Sequence, residues 1–235
     1  MSTKVYYSYS GKHGMMYGNG PVLAKKLFLE GRDSKELGFM RCPAFADHLK
    51  NVYSISVQHS IDLDIQDEFL TSNTMPQEFF DTQVKTFSGK ERIYGFPQRL
   101  VFIAEDDSLE MSEESPFLSE TQWSRDTNVI PGKLDIGKYF RALHCAFVIK
   151  KGVKKLKIEE GEPFFYLRFH TDKKIDFIPF YWTEEIDHII KNFRFAGGEN
   201  NEFHKWKPLK FYYDIVKKKN IKKLIMREIK KKLLK

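Results

Sequence analysis

Cysteine is scarce in this sequence, with only Cys42 and Cys145 in 235 residues. The two lie far apart in apolar stretches and neither belongs to a C-x-x-C pair, so a disulfide framework and a thiolate metal site are both disfavoured. The simplest interpretation is a protein of a reducing compartment with two buried thiols.

Long apolar runs are absent as well. No run reaches the length of about 18 residues that a membrane-spanning helix needs. The first residues, MSTKVYYSYSGKHG, contain no apolar stretch of signal-peptide length, which argues against secretion. We therefore expect the protein to remain in the cytoplasm of the cell that makes it.

Common catalytic motifs are also missing. There is no G-x-S-x-G around any serine, so the sequence does not indicate an activated serine nucleophile. The Gly11-Lys12 pair lacks the glycine that a phosphate-binding loop has five residues upstream, because position 6 is tyrosine. Neither motif class can therefore identify an enzyme here.

Charge is present but unevenly distributed. The whole chain carries a net charge of +7. Residues 205–235 contain thirteen Lys and Arg against two acids, a net of +11, whereas the other 204 residues carry 26 basic and 30 acidic groups, a net of −4. The sequence thus predicts a mildly acidic body with a strongly basic tail.

Strand-like patterns dominate the middle of the chain. Aromatic residues make up 15% of the sequence, which favours pleated, half-buried surfaces. Short apolar or alternating runs such as RLVFIAE, LHCAFVIK, PFFYLRFH and KIDFIPF are separated by glycine and proline turn signals. We predict an α+β fold, mainly an antiparallel β-sandwich or roll, followed by C-terminal amphipathic helices.

Three regions follow from these patterns. Residues 1–36 are glycine-rich toward their end and predict an irregular segment. Residues 37–198 predict a β-rich body with one packed helix, which begins after Thr183, a favourable N-cap. Residues 199–235 predict a basic helical tail in which Asn220 marks a bend or a break between two helices.

Four phrases, taken together, resemble a known family. They are MRCPAFADHLKNVYSI (40–55), LVFIAEDDSLEMSEESPFL (100–118), VIPGKLDIGKYFRAL (129–143) and GEPFFYLRFHTDKK (161–174). In this order they resemble an uncharacterised protein family encoded by tailed bacteriophages. The resemblance covers roughly residues 37–180 and implies synthesis in the cytoplasm of a bacterial host, with incorporation into the virion as a further expectation. It brings no established activity and no catalytic residues.

A His-x-Asp pattern at the end of a strand raises the question of an iron site. His170 ends the run FYLRFH and Asp172 follows in the turn, as in a two-His-one-carboxylate Fe(II) oxygenase. The second histidine would have to be His188, on the predicted helix, or His204, in a polar stretch; neither lies on a later strand, and His204 is the candidate ligand. The alternative, which we prefer, is a core strand that ends in a polar turn and binds no cofactor.

Two acidic stretches have a simple structural explanation. Asp62 and Asp64 alternate with apolar residues, which is typical of the solvent face of an amphipathic strand. The run EDDSLEMSEE lacks the spacing and the central glycine of a calcium-binding loop. We interpret it as a solvated loop, with a contact to a basic partner, including the Lys-rich tail of another copy, as the alternative.

The basic tail contains the largest set of candidate contact residues. Its candidate contact residues are charged ones, Lys217, Lys218, Lys219, Lys222, Lys223, Lys230, Lys231 and Lys232, and apolar ones, Ile221, Ile225, Ile229 and Leu233. The lysines suit a nucleic-acid backbone, a basic amphipathic helix suits an anionic membrane, and the apolar stripe suits a protein partner or a second copy. Packing of the stripe on the protein's own body is the fourth alternative.

Weighed together, these patterns favour a phage-encoded, non-enzymatic accessory or virion-associated protein. It would act through protein contacts, with a protein partner or a homo-oligomer expected and membrane contact disfavoured. Two alternatives remain: an Fe(II)-dependent oxygenase-like enzyme and a protein that binds nucleic acid through its tail.

Overall fold

The computed structural model describes residues 2–10, 20–30, 32, 37–66, 69–195, 209–231 and 233. Over these residues it confirms the predicted α+β fold class, since mainly antiparallel sheets form a sandwich-like body and helices follow them. The strands are β1 (Ser2–Tyr9), β2 (Val22–Leu23), β3 (Val52–Ser56), β4 (Ile61–Gln66), β5 (Phe69–Ser72), β6 (Lys85–Ser88), β7 (Ile93–Pro97), β8 (Leu100–Ala104), β9 (Glu110–Glu114), β10 (Thr127–Val129), β11 (Gly132–Asp135), β12 (His144–Ile149), β13 (Lys155–Ile158), β14 (Pro163–Phe169) and β15 (Lys174–Pro179). The helices are α1 (Ala24–Leu29), α2 (Pro43–His48), α3 (Gln77–Gln83), α4 (Gln122–Asp126), α5 (Glu184–Phe195), α6 (Leu209–Lys218) and α7 (Ile221–Lys231).

The strands form four sheets. Their spatial orders are β15-β1-β8, β10-β12-β7-β6, β11-β9-β14-β3-β2 and β13-β4-β5. Within the described residues every strand pair is antiparallel except β1 with β15. The five-stranded sheet holds β14, whose end carries the His-x-Asp pattern.

Strand β1 corrects the prediction of an irregular N-terminal segment. Residues 2–9 pair in parallel with β15 and antiparallel with β8, so they occupy the centre of a sheet. A central strand buried on both faces does not alternate between apolar and polar residues, and the first residues accordingly lack that pattern. The irregular prediction is therefore wrong for residues 2–9.

The sheet β15-β1-β8 separates two apolar cores. Alternate residues of a strand point to opposite faces; accordingly Val5 packs in the large core of the sandwich, and Tyr6 packs in a second core beneath the helices. On β8, Phe102 likewise faces the sandwich, whereas Val101 faces the helices. This sheet thus joins the body to the helical layer.

The helical layer is built from α5, α6 and α7. The second core, between this layer and the sheet β15-β1-β8, contains Tyr6, Val101, Ile103, Phe140, Phe180, Ile186, Ile190, Val216, Ile221, Ile225 and Ile229. Leu233 adds an isolated antiparallel β-bridge to Phe180, just after β15. The described part of the tail is therefore integral to the fold.

Two local predictions about the helices are confirmed. The side chain of Thr183 accepts a hydrogen bond from the backbone N–H of Ile186 at 3.2 Å, which caps the start of α5. Asn220 lies between α6 and α7 with a φ of 51°. Asparagine tolerates this left-handed conformation better than most residues, which explains the break between the two helices.

The two cysteines differ in exposure. Cys145 is buried, as predicted, whereas Cys42 is exposed, so the prediction of two buried thiols is wrong for Cys42. Cys42 precedes α2, whose residues show no burial, because this short helix lies at the surface. Among the described residues no helix is long and apolar enough to cross a membrane.

Candidate functional site

The apolar stripe of the tail is covered by the protein's own body. Ile221, Ile225 and Ile229 recur every four residues along α7 and are only 7%, 0% and 0% exposed. They pack in the core beneath the helices, among residues of β1, β8 and α5. These three isoleucines are therefore unavailable to a protein partner or a membrane, which corrects their assignment as partner contacts. Leu233, the fourth predicted apolar contact, is 39% exposed.

Tyrosine hydroxyls attach α6 to the same body. The hydroxyl of Tyr213 accepts a hydrogen bond from the backbone N–H of Asp135 at 2.9 Å. The hydroxyl of Tyr212 accepts one from the backbone N–H of Phe140 at 3.3 Å. Both backbone groups lie in or just after β11, so α6 is held at a defined place on the body.

Lys222 differs from the other lysines of the tail. Its ammonium donates hydrogen bonds to the carbonyls of Glu105 and Asp106 at 2.8 and 2.7 Å and to Asp107 Oδ1 at 2.9 Å. These bonds and the charge of Lys222 lower the pKa of Asp107. Lys222 therefore links α7 to residues 105–107, so this acidic segment meets the basic tail of its own chain. The interpretation as a solvated loop is wrong for residues 110–114, which form β9 with Glu113 buried.

The remaining lysines of the described tail face solvent. Lys217, Lys218, Lys219, Lys223, Lys230 and Lys231 are exposed, as is Arg227, which the sequence interpretation missed. The spacing of Arg227 could have identified it, because Lys223, Arg227 and Lys230 follow one another at four and three residues and so lie on one side of α7. We call these seven residues the basic face. Lys232, also predicted as a contact, lies outside the described residues.

Ion pairs neutralise little of the basic face. Lys231 bonds both carboxylate oxygens of Glu228 at 3.0 Å, and Arg227 contacts the same carboxylate at 3.3 Å. The other five lysines form no salt bridge with any described residue. The three isoleucines of α7 are thus inside the protein, whereas Lys223 and Lys230 on the same helix are exposed and form no salt bridge with a described residue.

The residues of the predicted iron site have other partners. His170 Nε2 lies 3.0 Å from the hydroxyl of Ser112. The Asp172 side chain is 97% exposed and forms an ion pair with Lys50 at 2.9 Å. His204 lies outside the described residues. Within the described residues no group of three His, Cys, Asp or Glu side chains is placed to hold a metal ion.

The polar face around His170 is instead a network of hydrogen bonds and ion pairs. Arg168 binds Glu114 with two bonds of 2.6 and 2.8 Å and also bonds the carbonyl of His48. Burial alone would raise the pKa of Glu114, but the bonds and charge of Arg168 outweigh it and hold this pKa below its usual value. The network therefore ties β9 and β14 to α2.

A serine–histidine pair belongs to the same network. Partial burial, followed by the charge of Lys133, lowers the pKa of His170 and so favours its neutral imidazole. The Ser112 hydroxyl also donates to Glu114 Oε1 at 3.3 Å. Because a hydroxyl has one proton, the carboxylate competes with the imidazole for it. The arrangement is thus explained as part of the ion-pair network, without an activated nucleophile.

The carboxylates of β4 likewise have a structural partner. The side-chain amide of Asn73 donates to Asp62 at 3.1 Å and to Asp64 at 2.9 Å. Lys155 lies 3.6 Å from Asp64 on the neighbouring strand. This agrees with their interpretation as the polar face of an amphipathic strand.

Comparisons with known proteins add little. No protein-family model matches the sequence, and no curated protein matches it. Among solved structures, one match is a native EIAV dUTPase with 14% sequence identity, over 57% of this chain and 85% of that chain. Its TM-score is 0.30, so the likeness carries no argument about this protein.

Proposed function

We propose that the protein binds nucleic acid, without catalysis, through the basic face of α6 and α7. The observation that supports this most is the division of α7. Its isoleucines are buried against the body, while Lys223 and Lys230 on its other side form no salt bridge with a described residue. Lys217, Lys218 and Lys219, at the end of α6, are likewise exposed and without a salt bridge to a described residue. Apart from the partly exposed apolar side chains Leu209, Phe211, Leu224 and Leu233, the described tail therefore offers a partner mainly positive charge.

Lysine charge of this kind suits the phosphate backbone. Lysine ammonium groups act as point charges and neutralise phosphates without reading the base sequence. Lys223 and Lys230 are seven residues apart on α7, about 10 Å along the helix axis at about 1.5 Å per residue. Such a row of cations supports contacts with several successive phosphates, and the affinity would then depend on salt rather than on sequence.

The burial of the isoleucine stripe argues against two other uses of the tail, contact with a membrane and docking on another protein. A helix that lies on a membrane inserts its apolar face, and a helix that docks in a groove of another protein does the same. In this protein that face is occupied by its own core. Nucleic-acid binding remains compatible with this packing, because it requires only the exposed basic side chains of the tail.

The biological setting is proposed from the family resemblance alone. We propose a phage accessory protein that meets nucleic acid in the bacterial cytoplasm or in the virion. The Fe(II) oxygenase alternative has no support from His170 and Asp172, whose side chains turn to different partners.

Substitution of exposed lysines tests the proposal better than deletion of the tail. Deletion would remove three core isoleucines and so expose the second core. A variant with Lys218, Lys219, Lys223 and Lys230 changed to Gln keeps the core intact. We expect this variant to bind a fluorescein-labelled DNA duplex much more weakly in an anisotropy titration at 50 mM NaCl.

The matched control changes four exposed body lysines, Lys90, Lys151, Lys154 and Lys174, to Gln. It alters the net charge by the same amount, so general electrostatic attraction falls equally in both variants. The control should bind more tightly than the α6–α7 variant. Equal affinity of the two variants, or a wild-type protein that does not bind DNA at low salt, would refute the proposal.

A further inference from the structure

A cavity follows the C-terminal end of β9. It has a volume of about 370 Å³ and is lined by residues of the loop Ser115–Glu120 and by Ser124 and Arg125 of α4. This volume lies in the range of about 300–1,000 Å³ that is usual for small-molecule sites. The tail is attached elsewhere, because Tyr213 bonds Asp135, which pairs with Glu110 at the other end of β9.

One wall of the cavity is the aromatic ring of Phe117, which contacts two neighbouring rings. Phe117 is 43% exposed although its ring has two ring neighbours. Tyr166, itself 2% exposed, meets it edge-on at 5.2 Å, and His48 lies at 5.5 Å. Because Tyr166 is buried in β14 and holds one edge of the ring, the exposed face of Phe117 is a preformed stacking platform.

Another wall carries a positioned guanidinium. Arg125 Nη1 donates to the carbonyl of Glu120 at 2.8 Å, which fixes the direction of the side chain. Arg125 is exposed and forms no ion pair with a described residue. Most of its donors thus remain for a ligand, and the guanidinium fork matches the geometry of a phosphate or a carboxylate.

The remaining polar groups divide into used and available ones. The hydroxyl of Ser124 lies 2.6 and 2.9 Å from the carbonyls of Ser119 and Thr121, which share its one proton. The oxygen of Ser115 accepts the backbone N–H of Val129 at 2.9 Å, so its proton can be donated elsewhere. The exposed Glu120 side chain adds an acceptor at the rim of the cavity.

We propose that this cavity binds a nucleoside monophosphate unit. The base would stack on Phe117, the phosphate would bind Arg125, and the Ser115 hydroxyl and the Glu120 carboxylate would bond the sugar or the base edge. A planar π face, an anion and adjacent hydroxyls are the chemistry that this set of groups recognises. The unit can come from a free nucleotide or from a nucleotide of a bound strand.

The test is a calorimetric titration of the full-length protein with AMP, adenosine and inorganic phosphate. Phe117→Ala should weaken AMP binding by roughly 5- to 100-fold, the range for loss of one base-stacking contact. Arg125→Gln should weaken AMP binding by about 10-fold or more but leave adenosine binding unchanged, since adenosine has no phosphate for the lost charge.

Matched controls use the exposed ring Phe87 and the exposed Arg99, which lie on other parts of the surface. Phe87→Ala and Arg99→Gln should bind AMP as the wild type does. The proposal is overturned if millimolar AMP does not bind. It is equally overturned if Phe117→Ala has no effect, because the site would then bind only an anion.

Two further titrations separate the sources of the nucleotide and keep this inference distinct from the role of the tail. The α6–α7 variant with four Lys→Gln changes should bind AMP normally even if it has lost DNA binding. The second titration uses Arg125→Gln with an unchanged tail. If this variant also binds a single-stranded oligothymidylate more weakly than the wild type does, the cavity takes a nucleotide of the strand. If only AMP binding falls, the ligand is a free nucleotide.

Discussion

The carboxyl of Glu113 is buried in the core, and the substitution Glu113→Gln tests what that burial does to stability. Glu113 is 5% exposed and its cross-strand neighbours are Leu167 and Gly132. Burial raises its pKa from a usual value of 4.5 to about 8. Burial, followed by the charge of Glu113, also raises the pKa of the Cys145 thiol.

The raised pKa of Glu113 predicts a loss of stability as pH increases. Below pH 4.5 the carboxyl is protonated in both the folded and the unfolded state and has no effect. Between the unfolded pKa of 4.5 and the folded pKa of about 8, only the unfolded chain releases the proton. The free energy of unfolding then falls by about 1.36 kcal/mol per pH unit, or about 5 kcal/mol in total, of which about 3 kcal/mol is lost by pH 7.

Glutamine keeps the shape of the side chain but cannot ionise. We therefore expect Glu113→Gln to match the wild type near pH 4.5 and to be more stable by several kcal/mol at pH 8 and above. The measurement is urea denaturation at a series of pH values, followed by tryptophan fluorescence, because Trp123 is fully buried. The quantity compared is the difference in unfolding free energy at each pH.

The matched control is Glu110→Gln, the same change at an exposed site of the same strand. The pKa of Glu110 is lowered by its hydrogen bond to Lys133, so this variant should gain no stability as pH rises. If the difference between Glu113→Gln and the wild type does not grow with pH, or if Glu110→Gln shows the same growth, the reasoning about burial is wrong.

Three further predictions follow from the described contacts. Ile225→Ala should lower the unfolding free energy by about 2–5 kcal/mol, because it opens a cavity at a fully buried side chain; a stability within error of the wild type in urea denaturation would contradict the packing of α7. Lys222→Met should keep the apolar stem but lose the bonds to Glu105, Asp106 and Asp107, so faster amide hydrogen exchange is expected at the start of α7. Unchanged exchange would contradict a stabilising role for these hydrogen bonds. Maleimide should label one thiol, Cys42, in the native protein and Cys145 only after unfolding; two labelled thiols in the native state would contradict the burial of Cys145.

Local pattern predicted much of the fold, because it depends on forces between neighbouring residues. Alternation of apolar and polar residues identified strands such as β4, and the N-cap at Thr183 identified the start of α5. Strand β1 was not predicted, because it lies between β8 and β15 with residues of both faces buried. A strand of this kind has no alternation to detect.

The candidate sites depended on contacts between distant residues, and these were harder to predict. The stripe Ile221, Ile225 and Ile229 predicted an amphipathic helix, but a stripe does not specify what covers it. The pairing of Arg168 with Glu114 joins residues 54 positions apart, so it cannot be inferred from spacing. For the same reason His170 and Asp172 suggested a metal site although they turn to different partners.

The salt dependence of DNA binding tests the central claim most directly. For the wild type, the logarithm of the association constant should fall linearly with the logarithm of the salt concentration, with a contribution of about −0.9 for each phosphate neutralised. Changing Lys218, Lys219, Lys223 and Lys230 to Gln should make this slope shallower by about 3 to 4. The control with four body lysines changed should keep the wild-type slope. A slope that is unchanged in the α6–α7 variant would contradict the proposal that the basic face contacts the nucleic-acid backbone.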